Sequence, residues 1–341
     1  MGLMMEMRKD LMLLLLMYAV LCLVPLAAHG NLHLMNILII CLIWAVVAAA
    51  WDLIMGFAGI FTFGQVAFFV IGAYGSAILT RTTGVSPWLG ILLGGLLTGT
   101  IGVLVGLPCL RLKGAYVALV TFAVHMILEP FLKSNIGRAI GTGGPQGILS
   151  IPALNLGSYK FSSMHLVPPY YAALIISFVA LLIIYKIIHS PWGLAFVAVR
   201  DSEVFAKSLG IDDFKYKLAV FGISAFLTGM IGAFYAHYIG MLSTRILGLD
   251  LFLILMVMLV VGGMGRFPGA VIGSFIAIFL SEWLRFLESW RMVIFGAIVI
   301  LMVLFMPQGI TGLLFPLEGS GPVDRLLRRL RGTEAVACKS D

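Results

Sequence analysis

From Leu34 to Asp52 the chain reads LMNILIICLIWAVVAAAWD, with no charge before its last residue. A hydrocarbon core of about 30 Å is crossed by about 17–25 apolar residues in a helix, so this stretch predicts a membrane crossing. Runs of the same kind lie on either side of it, at 11–28, 66–80, 88–107, 114–129, 171–189, 219–240, 251–263, 268–284 and 291–306. Together they predict an all-α membrane protein of about ten transmembrane helices. The runs at 66–80, 114–129, 251–263 and 291–306 are short and bounded by Gly or Pro, which predicts half-helices or helices in the interior of the bundle. Composition agrees: 61% of the 341 residues are apolar and 11% charged, against about 25% charge in a soluble domain. The mean hydropathy is +1.10.

Charge sets the orientation. With the N-terminus inside, the inner segments and the tail hold 15 of the 22 Lys and Arg residues and the outer segments seven. Basic excess marks the cytoplasmic side, so both termini are expected there. The net charge of +7 forms no basic face for nucleic acid. Its densest run, Arg325, Arg328, Arg329 and Arg331, fits a tail held near anionic membrane lipid. Residues 1–318 are therefore read as one transmembrane domain and 319–341 as a basic cytoplasmic tail. Cys22, Cys41, Cys109 and Cys338 show neither metal-ligand nor disulfide spacing. The first span ends in Pro25-Leu26-Ala27-Ala28, a signal-peptide-like finish, and is read as an uncleaved first helix.

Two segments between spans carry the functional signals. Residues 130–170, placed outside, contain Gly141-Thr142-Gly143-Gly144-Pro145-Gln146-Gly147. Residues 190–217, placed inside, contain Arg200-Asp201-Ser202-Glu203-Val204-Phe205-Ala206-Lys207-Ser208-Leu209-Gly210-Ile211. Asp201 or Ser202 can cap a helix of about two turns that has Glu203 in its first turn and Gly210 at its end. Val204, Phe205, Ala206 and Leu209 are apolar, which suits a helix lying in a partner's cleft or one resting on lipid headgroups. No Gly-x-x-x-x-Gly-Lys-Ser/Thr phosphate loop occurs, so ATP hydrolysis is not expected of this chain alone.

The inner segment resembles the coupling loop of ABC importer permeases, a Glu-x-x-Ala-x-x-x-Gly pattern met here by Glu203, Ala206 and Gly210. Further stretches resemble the branched-chain amino acid permeases. They are Gly56-Phe57-Ala58-Gly59, Phe63-Gly64-Gln65-Val66-Ala67-Phe68-Phe69, Ile71-Gly72-Ala73-Tyr74 and Leu110-Arg111-Leu112-Lys113-Gly114-Ala115-Tyr116. Thr142-Gly143-Gly144-Pro145-Gln146-Gly147-Ile148, Gly262-Gly263-Met264-Gly265 and Pro307-Gln308-Gly309 complete the set, which runs in order through most of the chain. The resemblance, to the M-type permease of that family, implies a second, H-type permease, two ATPase subunits and a periplasmic substrate-binding protein. It implies a bacterial inner-membrane location and a cargo of leucine, isoleucine or valine, with no catalytic residue, metal or cofactor in this chain. A pair of identical chains stands beside the H-type pairing, since symmetric pairs are the commonest oligomers.

On this reading Arg200, Asp201, Ser202, Glu203, Ala206, Leu209 and Gly210 meet the ATPase. The polar residues within spans are path candidates: Thr62, Gln65 and Tyr74 at the break between the second and third helices, and Tyr116, Thr121 and His125 on the fifth. Thr121 and His125 share a helix face, from which Tyr116 is offset. Thr142, Gly143, Gly144, Pro145 and Gln146 form an outer loop that suits docking of the binding protein or simple turn chemistry. Asp52 is read as solvated at the inner interface, and Arg266 as a departure from the small residue expected after the Gly-Gly-Met-Gly turn. The alternatives are a permease for urea or short amides and an ion-driven secondary transporter. Against the latter, the sequence shows no repeated intramembrane acids of the kind that relay protons. A membrane enzyme is disfavoured because the six histidines are scattered along the chain.

Overall fold

The structure, a computed structural model, describes residues 2–27, 31–112, 114–156, 159–160, 166–287, 290–305 and 309–314. The proposed tail at 319–341, Ala28 of the signal-like finish, Lys113 and Pro307-Gln308 lie outside the described residues. In chain order the α-helices are α1 (Gly2–Ala27), α2 (Leu32–Asp52), α3 (Gln65–Thr83), α4 (Pro87–Cys109), α5 (Ala115–Lys133), α6 (Asn135–Ile140) and α7 (Val167–Ile188). There follow α8 (Pro191–Asp201), α9 (Glu203–Ser208), α10 (Asp213–Ile239), α11 (Leu249–Gly262), α12 (Gly269–Trp283), α13 (Trp290–Phe305) and α14 (Gly309–Leu314). The only described sheet is a two-residue antiparallel pair, Asn155–Leu156 with Tyr159–Lys160.

The described residues of each of the ten apolar runs lie mostly on one helix. Seven of these helices are long and apolar enough to cross a membrane: α2 with its extension to Phe57, α3, α4, α5, α7, α10, and α12 with its extension to Phe286. Three shorter apolar stretches lie at Asp10–Pro25, Leu249–Gly262 and Val293–Met302. Two of the four runs read as short are full-length: α3 and α5 each have 19 residues. Helix α3 runs on through Arg81 to a left-handed Gly84, and α5 runs through Pro130 to Lys133, which pairs with Glu129 at 2.6 Å.

Helix α2 is the axis of the bundle. From Cys41 to Ala58 every residue is buried, as expected of a helix apolar on all sides. It packs on α7, α12 and α10, while α10 packs along α4 and α3. Small residues make this close packing possible. A Cβ on Gly72 of α3 would lie 2.2 Å from the Gly229 carbonyl of α10, so the two backbones touch there. Helix α4 buries Gly90, Gly94, Thr98, Gly102 and Gly106, a stripe spaced by four on its face toward α3 and α10. Tyrosines tie elements distant in sequence: the Tyr18 hydroxyl donates to Ser177 Oγ at 2.8 Å, and that of Tyr238 to Asn36 Oδ1 at 2.6 Å. Such bonds between membrane helices contribute about 0.6–2 kcal/mol each.

Helix α10 serves as a ruler for depth. Its 27 residues at about 1.5 Å per residue make it about 40 Å long. The segment with α8 and α9 lies at its N-terminal end. At its C-terminal end Leu242 and Ile148 exchange both backbone hydrogen bonds, at 3.0 and 2.9 Å, which fastens the Gly141–Gly147 loop there. The two segments singled out by sequence thus lie at opposite ends of one membrane-length helix.

Candidate functional site

Between α2 and α3 the helical path is broken. Beyond Asp52 the chain makes a π-wound turn, Leu53–Phe57, then runs without regular structure to Gly64. Such backbone is tolerated at membrane depth only inside protein or against a cavity. Its polar groups are taken up by side chains: Trp51 Nε1 donates to the Thr62 carbonyl at 2.8 Å, and the Phe63 amide donates to Thr121 Oγ1 at 2.9 Å. Thr121 in turn donates to the Val117 carbonyl one turn back. Gln65, the first residue of α3, donates to Ser224 Oγ at 3.2 Å and to Thr228 Oγ1. Ser224 and Thr228 flank the midpoint of α10, so α3 begins near mid-depth of the bundle.

The structure brings Thr62, Gln65 and Thr121 together at this break, all buried. Beside them stands a set of rings that sequence reading missed. Phe63 lies 5.4 Å from Phe252 and 6.3 Å from Phe122, and the His125 ring lies 6.2 Å from each of Phe122 and Phe252. Buried Gln65 Oε1, the Tyr74 hydroxyl and both ring nitrogens of His125 complete no hydrogen bond of ordinary geometry, though the Leu247 backbone faces the histidine. A buried polar group left so costs about 1–3 kcal/mol, which makes these atoms available to a small guest with a polar end and an apolar side. Tyr116 does not join this set. It is 66% exposed, one and a half turns from Thr121 and off its face.

At one end of α10, α8 and α9 form an arm. Ser202 caps α9, its Oγ accepting from the Phe205 amide at 3.2 Å, and Gly210 follows the helix with φ +81°. Of its apolar residues only Ala206 is buried; Val204, Phe205 and Leu209 are 82%, 61% and 62% exposed. Glu203 pairs with Lys217 at 2.5 Å and Lys207 with Asp213 at 3.2 Å, fixing the arm to the start of α10. A hydrogen bond from Lys215 holds the Asp212 carboxyl below the usual carboxylate range. A cleft of about 500 Å³ opens beside the arm, lined among others by Gly59, Phe61, Arg111, Arg200, Asp201 and Lys217. Arg200 Nη1 donates to the Gly56 carbonyl at 2.7 Å.

Asp52 differs from the sequence expectation. It is 3% exposed, not solvated, and its Oδ1 accepts from the Gly265 amide at 2.7 Å. The turn after α11 folds back over the C-terminal end of α2 and covers it, a contact between residues more than 200 positions apart.

At the other end, Thr142 and Gly144 are buried and Gly143, Pro145 and Gln146 exposed. Thr142 Oγ1 donates to the Leu132 carbonyl at 2.8 Å, so half of this loop is internal packing. Nearby, His237 places Nδ1 2.8 Å from the Pro152 carbonyl and Nε2 2.9 Å from Ser76 Oγ. A carbonyl only accepts, so Nδ1 carries the proton, and in the neutral ring Nε2 accepts from the serine. This strut between α3, α10 and the loop gave no local signal in the sequence. Among the described residues no three His, Cys, Asp or Glu side chains gather as a metal site.

Comparison with known proteins places these features in a family. A family model described as branched-chain amino acid transport system / permease component matches residues 33–303. The high-affinity branched-chain amino acid transport system permease protein LivM of Salmonella typhimurium is 28% identical over 290 residues, covering 79% of this chain and 68% of that protein. LivM of Escherichia coli gives the same identity and coverage. A nucleoside ABC transporter permease, NupC of Lactococcus lactis, is 26% identical over 196 residues, 53% of this chain and 60% of that one. No solved structure matches.

Proposed function

The chain belongs to the family of branched-chain amino acid transport permease components, and on that premise we propose that it is the M-type pore subunit of an importer for leucine, isoleucine or valine. It is a multi-pass protein, placed by this reading in a bacterial inner membrane with about ten crossings and both termini in the cytoplasm. An H-type permease completes the pore, two ATPase subunits drive it, and a periplasmic binding protein delivers the cargo. The observation that carries the reading is α9: a capped helix, tied by ion pairs to α10, that turns Val204, Phe205 and Leu209 away from its own bundle. Helix-in-groove contacts use such a face. Thr62, Gln65, Thr121 and His125 at the mid-depth break supply the path, with Phe63, Phe122 and Phe252 as its apolar wall, and Tyr74, nine residues along α3 from Gln65 and about 13 Å from the break, extends it. Gly143, Pro145 and Gln146 are the part of the outer loop left open to the binding protein.

Two measurements test this. In cells lacking the gene, uptake of labelled leucine should fall and return with a plasmid copy. If leucine uptake is untouched and urea uptake falls, the substrate assignment is wrong while the fold stands. For orientation, with Cys22 and Cys338 replaced, a single cysteine at Gln146 should react with an impermeant reagent in intact cells. One at Lys215, whose side chain is 80% exposed, should react only after permeabilisation. The reverse pattern discards the orientation.

A further inference from the structure

The buried carboxylate of Asp52, the backbones of Gly56 and Gly265 and the guanidinium of Arg200 form one connected knot. Asp52 Oδ1 accepts from the Gly265 amide at 2.7 Å, and the Gly56 carbonyl accepts from Arg200 Nη1, also at 2.7 Å. The two glycines lie against each other. A Cβ on Gly56 would come within 2.2 Å of both the Gly265 nitrogen and Asp52 Oδ1. The stem of Arg200 covers Gly59, where a Cβ would meet its Cγ at 2.4 Å. Three elements therefore meet without slack: the π-wound end of α2, the turn after α11, and the last turn of α8. Ser202, two residues beyond Arg200, is the cap of α9.

We propose that Asp52 and Arg200 are positioning residues that transmit movement of the arm to the broken end of α2, and so to the Ala58–Phe61 wall of the cleft. Neither touches the cargo. The inference rests on the reading that α9 meets an ATPase. Coupling between sites needs an element with two discrete arrangements. On this proposal that role falls to the π-wound turn. It bonds Ala58 N to Leu53 O, five residues back, a winding one residue wider than α, and is closed by Ile60 N to Ile54 O, six residues back. Its Gly56 carbonyl is held by Arg200. The charges matter in one direction: the buried Asp52 carboxylate has the nearby Arg200 guanidinium, which also meets Asp201 Oδ1 at 3.1 Å, as a compensating charge in a medium of low dielectric, so removing Arg200 leaves the carboxylate uncompensated.

The test uses the assembled permease–ATPase complex in proteoliposomes with leucine-loaded binding protein. It reads ATP hydrolysed per labelled leucine moved, together with the ATPase that co-purifies. In Asp52→Ala the ATPase should still co-purify and the ratio should rise about tenfold, within the usual range of coupling free energies. Asp52→Asn keeps an oxygen for the Gly265 amide but loses the charge, so its ratio should lie between wild type and Asp52→Ala. In Arg200→Lys, a single donor on a shorter, unforked head, the ratio should also rise. Should Asp52→Ala not accumulate, the other two variants still report the ratio. An unchanged ratio in Asp52→Asn and Arg200→Lys, whatever their absolute rates, overturns the proposal. If ATPase binding is indifferent to Glu203→Arg, the reading of α9 falls and the knot with it. If binding needs Glu203 but the ratio ignores Asp52 and Arg200, only the knot falls.

Discussion

Replacing Glu203 with arginine is expected to leave the protein in the membrane in normal amount and to abolish leucine uptake. Glu203 sits in the first turn of α9, where a negative charge favours the helix dipole, and its carboxylate meets Lys217. Glu203 is half exposed, and Lys217, though mostly covered, keeps Asp213 at 3.9 Å, so the reversal does not unfold a bundle held by buried helices. Its effect is on the partner. The introduced guanidinium would join Lys207 and Lys217, so that three basic groups surround the apolar residues proposed to dock. Loss of one central contact in an interface costs about 2–4 kcal/mol, or roughly 30- to 1000-fold in affinity. The ATPase should therefore be lost from the purified complex, and uptake with it. Gly210→Trp checks the same surface by bulk. Gly210 holds φ +81°, and a Cβ there meets nothing within 4 Å, so a large side chain points into open space that the proposed partner would need. Gly210→Ala separates the causes, since it carries the backbone penalty of about 1–2 kcal/mol without the bulk. If Ala and Trp behave alike, strain explains both. If all three variants keep ATPase and uptake, α9 does not couple.

What is legible in the chain follows the range of the interaction. The apolar runs are legible because a membrane helix must satisfy its own backbone and so declares itself over a continuous stretch. The described part of each run lies mostly on one helix, including the two short runs that proved full-length. In those two the apolar pattern stops at Arg81 and before Pro130, polar or proline residues that the ends of membrane helices accommodate. The Ser202 cap is legible because cap and helix are neighbours in sequence. The interior of the site is not. Gln65 meets Ser224 and Thr228 across more than 150 residues, and no local pattern reports that. Tyr116, offset from Thr121 by helical period alone, is exposed, as that offset implies. Asp52 reads as solvated because its cover comes from the turn after α11, far along the chain. The ring set around His125 draws on the chain after α2, on α5 and on α11, so it exists only once the helices pack.

That packing can itself be broken at one atom. Gly72→Val is expected to remove most of the folded protein, whereas Gly296→Ala should leave it unchanged. Between α3 and α10 a Cβ at Gly72 would stand 2.2 Å from the Gly229 carbonyl and 2.4 Å from its Cα, and Gly229 is itself pressed by Thr98 of α4. The obstacle is backbone, so no rotamer change relieves it, and three helices must separate to admit one methyl group. Overpacking costs about 1–3 kcal/mol where side chains yield, and more where only backbone can move. A loss of this size rivals the whole stability of a marginal fold, about 5–15 kcal/mol, once valine adds its second and third carbons. At Gly296 a Cβ meets nothing within 4 Å, and alanine in a helix is favoured over glycine by about 1 kcal/mol. Thermal unfolding in detergent, followed by size-exclusion recovery, should rank the variants as Gly296→Ala at or above wild type, then Gly72→Ala, then Gly72→Val. If Gly72→Val is recovered with the wild-type melting temperature, α3 and α10 do not touch at that point. The depth of Gln65 and the place of the break, both measured along α10, would then have to be redrawn.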